Sequence, residues 1–152
     1  GTHGIQGMDL LGRKVLMEEG RGLQLLAARM QATIEQAGLI AELAPHASAL
    51  KEALRHVGAA TRAAWSTGNP TDALANAVPY LQAFGHTVLA WIWLDVALAS
   101  RARATGPGNA AHTGRLAAAR YFFHYELPKI GAWLKVVESR DLTCADCPEE
   151  AF

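Results

Sequence analysis

Apolar positions along this chain recur at helical spacing, and no alternating run of strand character appears anywhere. The longest apolar stretch runs from Tyr80 to Arg103, YLQAFGHTVLAWIWLDVALASRAR. Between His86 and Arg101 its only charge is Asp95, and it holds two of the four tryptophans. Leu81, Phe84, Val88, Trp91, Asp95 and Leu98 make one helical stripe, while Leu89, Ile92, Trp93 and Val96 cover other faces. A helix that is apolar all round is normally a core helix, so this one is predicted to be buried on nearly all sides. A membrane span is the competing reading. A bilayer needs about 20 predominantly apolar residues; the uncharged run is shorter, and Asp95 would sit inside the span, where a carboxylate is costly.

The other elements are placed around that helix. Residues 1–19 read as a loop entering a short helix, with Thr2 as a possible N-cap and Ile5, Met8, Leu11 and Val15 at helical spacing. A second helix is predicted from about Arg21 to Ala37, striped by Leu23, Leu26, Met30, Ile34 and Ala37, with Gly38 as the C′ residue. A third runs from about Pro45 to Ser66, with Leu50, Leu54, Val57, Thr61 and Trp65 on one face. Asn69 can cap the next helix, with Pro70 at its first position and Asp72 in its first turn. Pro79 predicts a kink or break near Val78. The loop Thr105–Asn109 stops that helix. The last helix runs from about His112 to Ser139 on a stripe of Leu116, Ala119, Phe123 and Leu127, with a kink at Pro128. The fold class is all-α: an up-and-down bundle of about four long helices preceded by a short one, since most loops are short.

Composition narrows the picture. With 152 residues and 51% apolar content the chain can bury a real core. Alanine and leucine dominate, which favours helix. Net charge is zero, so no nucleic acid or anionic membrane is called for as a partner. Two cysteines, Cys144 and Cys147, give no disulfide framework, and the N-terminus has no signal-peptide pattern. A cytoplasmic location is expected. The chain opens on Gly-Thr-His-Gly without an initiator Met, as a piece of a longer protein or a processed one would.

Candidate chemistry is sparse. No Glu-x-x-His pair exists, so a ferritin-like di-iron site lacks its signature, and no metal site is expected. Glu52 and His56 stand at i,i+4 as a surface pair. Cys144-x-x-Cys147 lacks the second ligand pair zinc needs. Asp95, on a face predicted to be buried, needs a partner; Arg115 or Arg120 across the hairpin is expected. The aromatic group Phe84, Trp91, Trp93, Tyr121, Phe122, Phe123 and Tyr125 forms core and subunit interface, or lines an apolar pocket that could take an acyl chain. One feature points elsewhere: a Gly-Thr turn at a helix N-terminus presents backbone N–H groups at the positive end of the dipole, which suits a phosphate.

Gly1-Thr2-His3-Gly4-Ile5-Gln6, followed by Met8-Asp9-Leu10-Leu11-Gly12-Arg13-Lys14, resembles the segment just after the catalytic base of acyl-CoA dehydrogenases, Glu-Gly-Thr-x-x-Ile-Gln. The remainder resembles the C-terminal helical extension of one branch of that family, which includes the methylmercaptopropionyl-CoA dehydrogenases. Pro79-Tyr80-Leu81, Phe84-Gly85-His86, the stretch Leu116–Pro128 with Ala119-Arg120-Tyr121-Phe122-Phe123-His124, and the ending Pro148–Phe152 carry that likeness. The resemblance implies two parts: residues 1–19 as the end of the catalytic α-domain, and residues 20–152 as the extension. It implies FAD-dependent α,β-dehydrogenation of an acyl-CoA, with electrons passed to an electron-transferring flavoprotein and a homodimer or higher homo-oligomer as the assembly. Thr2, Gly4 and Gln6 would contact the FAD phosphates or ribose. The catalytic glutamate would stand immediately before Gly1, so this chain holds no catalytic residue, binds no FAD by itself and is expected to be inactive alone. The alternative is a stand-alone, non-enzymatic helical-bundle interaction module.

Overall fold

The structure is a computed structural model that describes residues 2–101, 103 and 109–151. It is all-α, and the described residues contain no strand. The helices are α1 (Thr2–Asp9), α2 (Arg21–Gly38), α3 (Ala44–Ala64), α4 (Pro70–Leu74), α5 (Ala77–Arg101), α6 (Ala110–Tyr121) and α7 (Ile130–Ser139). Helices α2, α3, α5 and the α6–α7 unit alternate in direction. Thr61 of α3 meets Tyr80 near the start of α5, and Glu42 just before α3 meets Arg101 at the end of α5. His86 of α5 packs on Phe122 and Trp133 beyond α6.

Local chemistry accounts for the boundaries. The Asn69 side chain accepts the Thr71 amide at 3.0 Å, which caps α4 ahead of Pro70. The predicted break upstream of Pro79 is present: α4 ends at Leu74 and α5 begins at Ala77. Between Tyr121 and Ile130 a π turn (Phe122–Glu126) and a 3₁₀ turn (Leu127–Lys129) interrupt the last helix. Pro128 lacks an N–H and its ring would strike the carbonyl four residues back, so the chain widens before it. Gly38 does not serve as a left-handed C′ residue. It is the last residue of α2, and Leu39 follows with right-handed backbone before the turn to Leu43. The left-handed turn lies upstream instead, where Glu18, Glu19 and Gly20 have φ of 49°, 56° and 81°. The Thr105–Asn109 loop lies outside the described residues except for Asn109.

Helix α5 is central, but it is not buried on nearly all sides. Its inner face is Ala77, Tyr80, Ala83, Thr87, Ala90, Leu94 and Ala97, all buried. Four of these seven are alanine, so α3, α6 and α7 can lie close against its backbone. The larger residues of the predicted stripe, Leu81, Phe84, Val88, Trp91 and Leu98, sit half-exposed on a flank. Leu89 and Ile92 keep 45% and 46% of their surface in contact with water. By length and composition α5 could cross a membrane, and a third of its apolar window is buried inside the bundle.

Candidate functional site

The residues singled out from sequence lie on α1. Thr2 and Gln6 are one turn apart, both exposed and on one face. Among the described residues neither side chain has a hydrogen-bond partner. Gly4 lies on the opposite side of this regular helix, and a Cβ there would meet nothing within 4 Å. The structure thus brings Thr2 and Gln6 together beside the first-turn amides and separates Gly4 from them. Ile5 and Met8, predicted to share the buried stripe with Leu11 and Val15, are 61% and 48% exposed. The buried face of α1 is instead the one that carries Gly7, one turn before Leu11. A π turn at Leu10–Lys14, closed by the Val15 N–H on the Leu10 carbonyl at 3.0 Å, follows it and precedes the buried Val15.

Three contacts fix this segment. A Cβ on Gly7 would come within 2.8 Å of the Ala77 carbonyl oxygen, so only glycine lets α1 lie this close to the start of α5. Leu11 is fully buried, and its carbonyl accepts the Trp65 indole N–H at 3.1 Å. Asp9 binds both Arg13 and Lys14, and these hydrogen bonds hold its carboxyl below the usual range. Sequence patterning did not reveal Gly7 or the Trp65 bond. The signal available was a glycine on the face of α1 that would otherwise carry an apolar side chain.

Asp95 is not paired with Arg115 or Arg120. It is exposed on the flank nearest α2, where it accepts a long hydrogen bond (3.4 Å) from the Thr33 hydroxyl, which itself accepts the Trp91 indole N–H at 2.8 Å. The α6 arginines lie on the other side of α5; Arg115 contacts His112 instead. Nor do Glu52 and His56 pair with each other. Glu52 takes Arg55, and His56 faces Glu138 of α7 at 3.3 Å. His86 is half-buried, with Nδ1 3.0 Å from the Gln82 carbonyl and Nε2 3.7 Å from Glu126. The Lys129 ammonium, followed by the Tyr121 hydroxyl and His86, holds the Glu126 carboxyl below its ordinary value.

His46 stacks on Phe123 with ring centroids 4.5 Å apart. Burial lowers its pKa first, with His124 and Arg120 adding to the effect. It lines a cleft of about 660 Å³ with Leu43, Ala97, Arg101, Leu116 and Arg120. The aromatic group is not one pocket: Phe122 and Phe123 are core, while Tyr121 and Tyr125 stack on each other in solvent. Cys144 and Cys147 are free and exposed, and no cluster of metal-ligating side chains occurs among the described residues.

Residues 26–148 match the family described as "Acetyl-CoA dehydrogenase C-terminal like". The chain belongs to this family of acyl-CoA dehydrogenase C-terminal domains. It is also similar to a butyryl-CoA dehydrogenase of Syntrophomonas wolfei subsp. wolfei (strain DSM 2245B / Goettingen), 28% identical over 163 aligned positions that take in all of this chain and 26% of that protein. The C-terminal domain thus spans about a quarter of the length of the relative it matches. The family match begins at Leu26, beyond α1 and its π turn, so Thr2, Gly4 and Gln6 lie outside it.

Proposed function

We propose that this chain is the C-terminal portion of an FAD-dependent acyl-CoA dehydrogenase catalysing α,β-dehydrogenation of an acyl-CoA thioester. Residues 1–19 would close the catalytic α-domain and residues 20–152 would form the extension. The observation that carries the reading is α1. One side of it is fixed to α5 through Gly7, while the side bearing Thr2 and Gln6 is open. A helix held that firmly can present its first-turn amides without further ordering cost.

The residues fit a phosphate or ribose edge. The first-turn N–H groups and the Thr2 hydroxyl would donate to phosphate oxygens at the positive end of α1, and the Gln6 amide would donate or accept at a ribose hydroxyl. Gly4 keeps the opposite side of the turn thin. FAD, when bound, supplies the hydride acceptor. The proton at the acyl α-carbon would go to a glutamate directly before Gly1, held in place by the α1 segment. The acyl-CoA substrate, an electron-transferring flavoprotein as acceptor, a homo-oligomeric assembly and a cytoplasmic location belong to the same reading. So does the absence of a membrane span, since the inner face of α5 is spent on the bundle core.

The codon upstream of Gly1 tests this directly: glutamate is expected, and any other residue sinks the reading. The full-length protein should purify yellow, and Thr2→Val with Gln6→Ala should loosen its flavin, measured by ultrafiltration, without lowering the melting temperature of the apoprotein. The isolated 152-residue chain should be colourless and inactive. A second reading, a stand-alone helical interaction module, is favoured by one observation, the open apolar side of α5. It requires a gene encoding little more than these residues.

A further inference from the structure

The cleft of about 660 Å³ that His46 lines lies at the end of α5 opposite α1. Its walls are the turn into α3, with Leu43 and His46, the last turns of α5, with Ala97 and Arg101, and the α6 helix, with Leu116 and Arg120. Leu43, Ala97 and Ala119 are buried at its floor. A volume of this order, apolar below and polar at the rim, is that of a site for a small organic molecule. Ala77, where Gly7 seats α1, stands twenty residues before Ala97, about 30 Å along the helix. The cleft and the α1 edge are therefore separate places.

Charge at the rim is unbalanced. Arg101 is engaged by Glu42 at 2.8 Å. Arg120 has no acidic partner among the described residues. It stands instead with two imidazoles. His124 shares the adjoining recess with it, and the His46 and His124 rings meet edge to face with centroids 6.1 Å apart. Stacking on Phe123 holds the His46 ring in place. Burial lowers the His46 pKa, and the like charges of His124 and Arg120 lower it further, with no carboxylate acting against them. His46 is thus neutral at pH 7, a hydrogen-bonding group and not a second charge. Among the described residues lining the cleft, Arg120 is left as the one full charge without its opposite.

We propose that this cleft binds a small alkyl carboxylate, with the carboxylate on Arg120 between the His46 and His124 imidazoles and the alkyl part on Leu43, Ala97, Leu116 and Ala119. The guanidinium fork matches the two carboxylate oxygens. One uncompensated charge suits a monoanion and leaves the second charge of a phosphate unmet. The aliphatic floor rewards a ligand with a tail, because only a tail removes that surface from water. A cation would meet Arg120 with its own sign. The site shares no residue with the flavin reading and stands or falls apart from it.

Calorimetric titration of the 152-residue chain with sodium octanoate at neutral pH should show one saturable site. Acetate keeps the charge without the tail, and 1-octanol keeps the tail without the charge; each should bind at least about tenfold more weakly. Arg120→Gln should weaken octanoate by about tenfold. Ala117 is exposed on the cleft wall, so Ala117→Trp should fill the cleft and abolish binding while the far-ultraviolet helix signal is kept. In nuclear magnetic resonance spectra of the unaltered chain, octanoate should move the ring signals of His46 and His124 and leave those of His56 and His86 in place. That readout does not depend on how any variant folds. The absence of saturable binding, acetate, inorganic phosphate or 1-octanol binding as tightly as octanoate, binding undiminished in both variants, or ring shifts at other histidines alone would overturn the proposal. Octanoate bound by this chain but excluded from a longer polypeptide containing it would overturn it too, and would assign the cleft to the rest of that polypeptide.

Discussion

Gly7 decides how near α1 can lie to α5, and its substitution runs against helix propensity. Alanine is worth about 1 kcal/mol over glycine in a helix interior. Gly114, in α6 with nothing within 4 Å of a Cβ, should gain about that on Gly114→Ala. Gly7→Ala should instead lose about 1–3 kcal/mol, because the new methyl meets the rigid Ala77 carbonyl; urea unfolding of the two variants gives opposite signs. Trp65→Phe should cost about 1–3 kcal/mol, since it strands the buried Leu11 carbonyl. His46 adds an acid sensitivity. Its pKa is lowered in the folded state by burial, so the unfolded chain binds more protons as pH falls below about 6.5. Stability is therefore full above that value and declines through the window between the unfolded and the lowered folded pKa. His46→Phe keeps a ring against Phe123 and should flatten the melting temperature across that window.

At the level of elements, the size of the side chains on α5 mattered more than their polarity. Periodicity located the helix and its central role correctly. It assigned the core to the bulky stripe Leu81–Leu98, whereas the buried face is the alanine one. Interhelical distance depends on which residues are small, and a count of apolar positions weighs Ala90 below Trp91. Leu94→Ala should cost about 2–5 kcal/mol as a fully buried truncation, and half-exposed Leu98→Ala clearly less. Ala90→Leu should lose about 1–3 kcal/mol by overpacking. The break before Pro79, the Asn69 cap and the interruption at Pro128 were all legible, because proline and asparagine act through local chemistry. The partner of Asp95 was not, because a stripe gives a face but not the rotation of that face toward a neighbour.

Across the whole molecule, one continuous core joins Leu11 and Val15 of the α1 segment to Val137 of α7. Of the candidate site, the sequence offered Thr2, Gly4 and Gln6 by resemblance, and of these Thr2 and Gln6 share one exposed face of α1. It could not reveal that α1 would turn its Gly7 side inward and Ile5 and Met8 outward, since a glycine adds nothing to an apolar stripe. The C-terminal tail stands apart from the core. Cys144→Ser with Cys147→Ser should change stability by less than about 0.5 kcal/mol, as exposed substitutions do, and a chelator should leave the melting curve unchanged.

The π turns have a consequence for lineage. A π turn is an α-helix that has accepted one residue too many. Removing one residue from Phe122–Glu126 would mend the local hydrogen bonding and yet rotate everything downstream by about 100°. Leu127, Ile130, Leu134 and Val137 would then leave the interior together. Once the core had settled on that phase, the extra residue could no longer be given back, and the same holds for Leu10–Lys14 and the burial of Val15. Length in these two stretches should vary less among descendants than the identity of any residue within them.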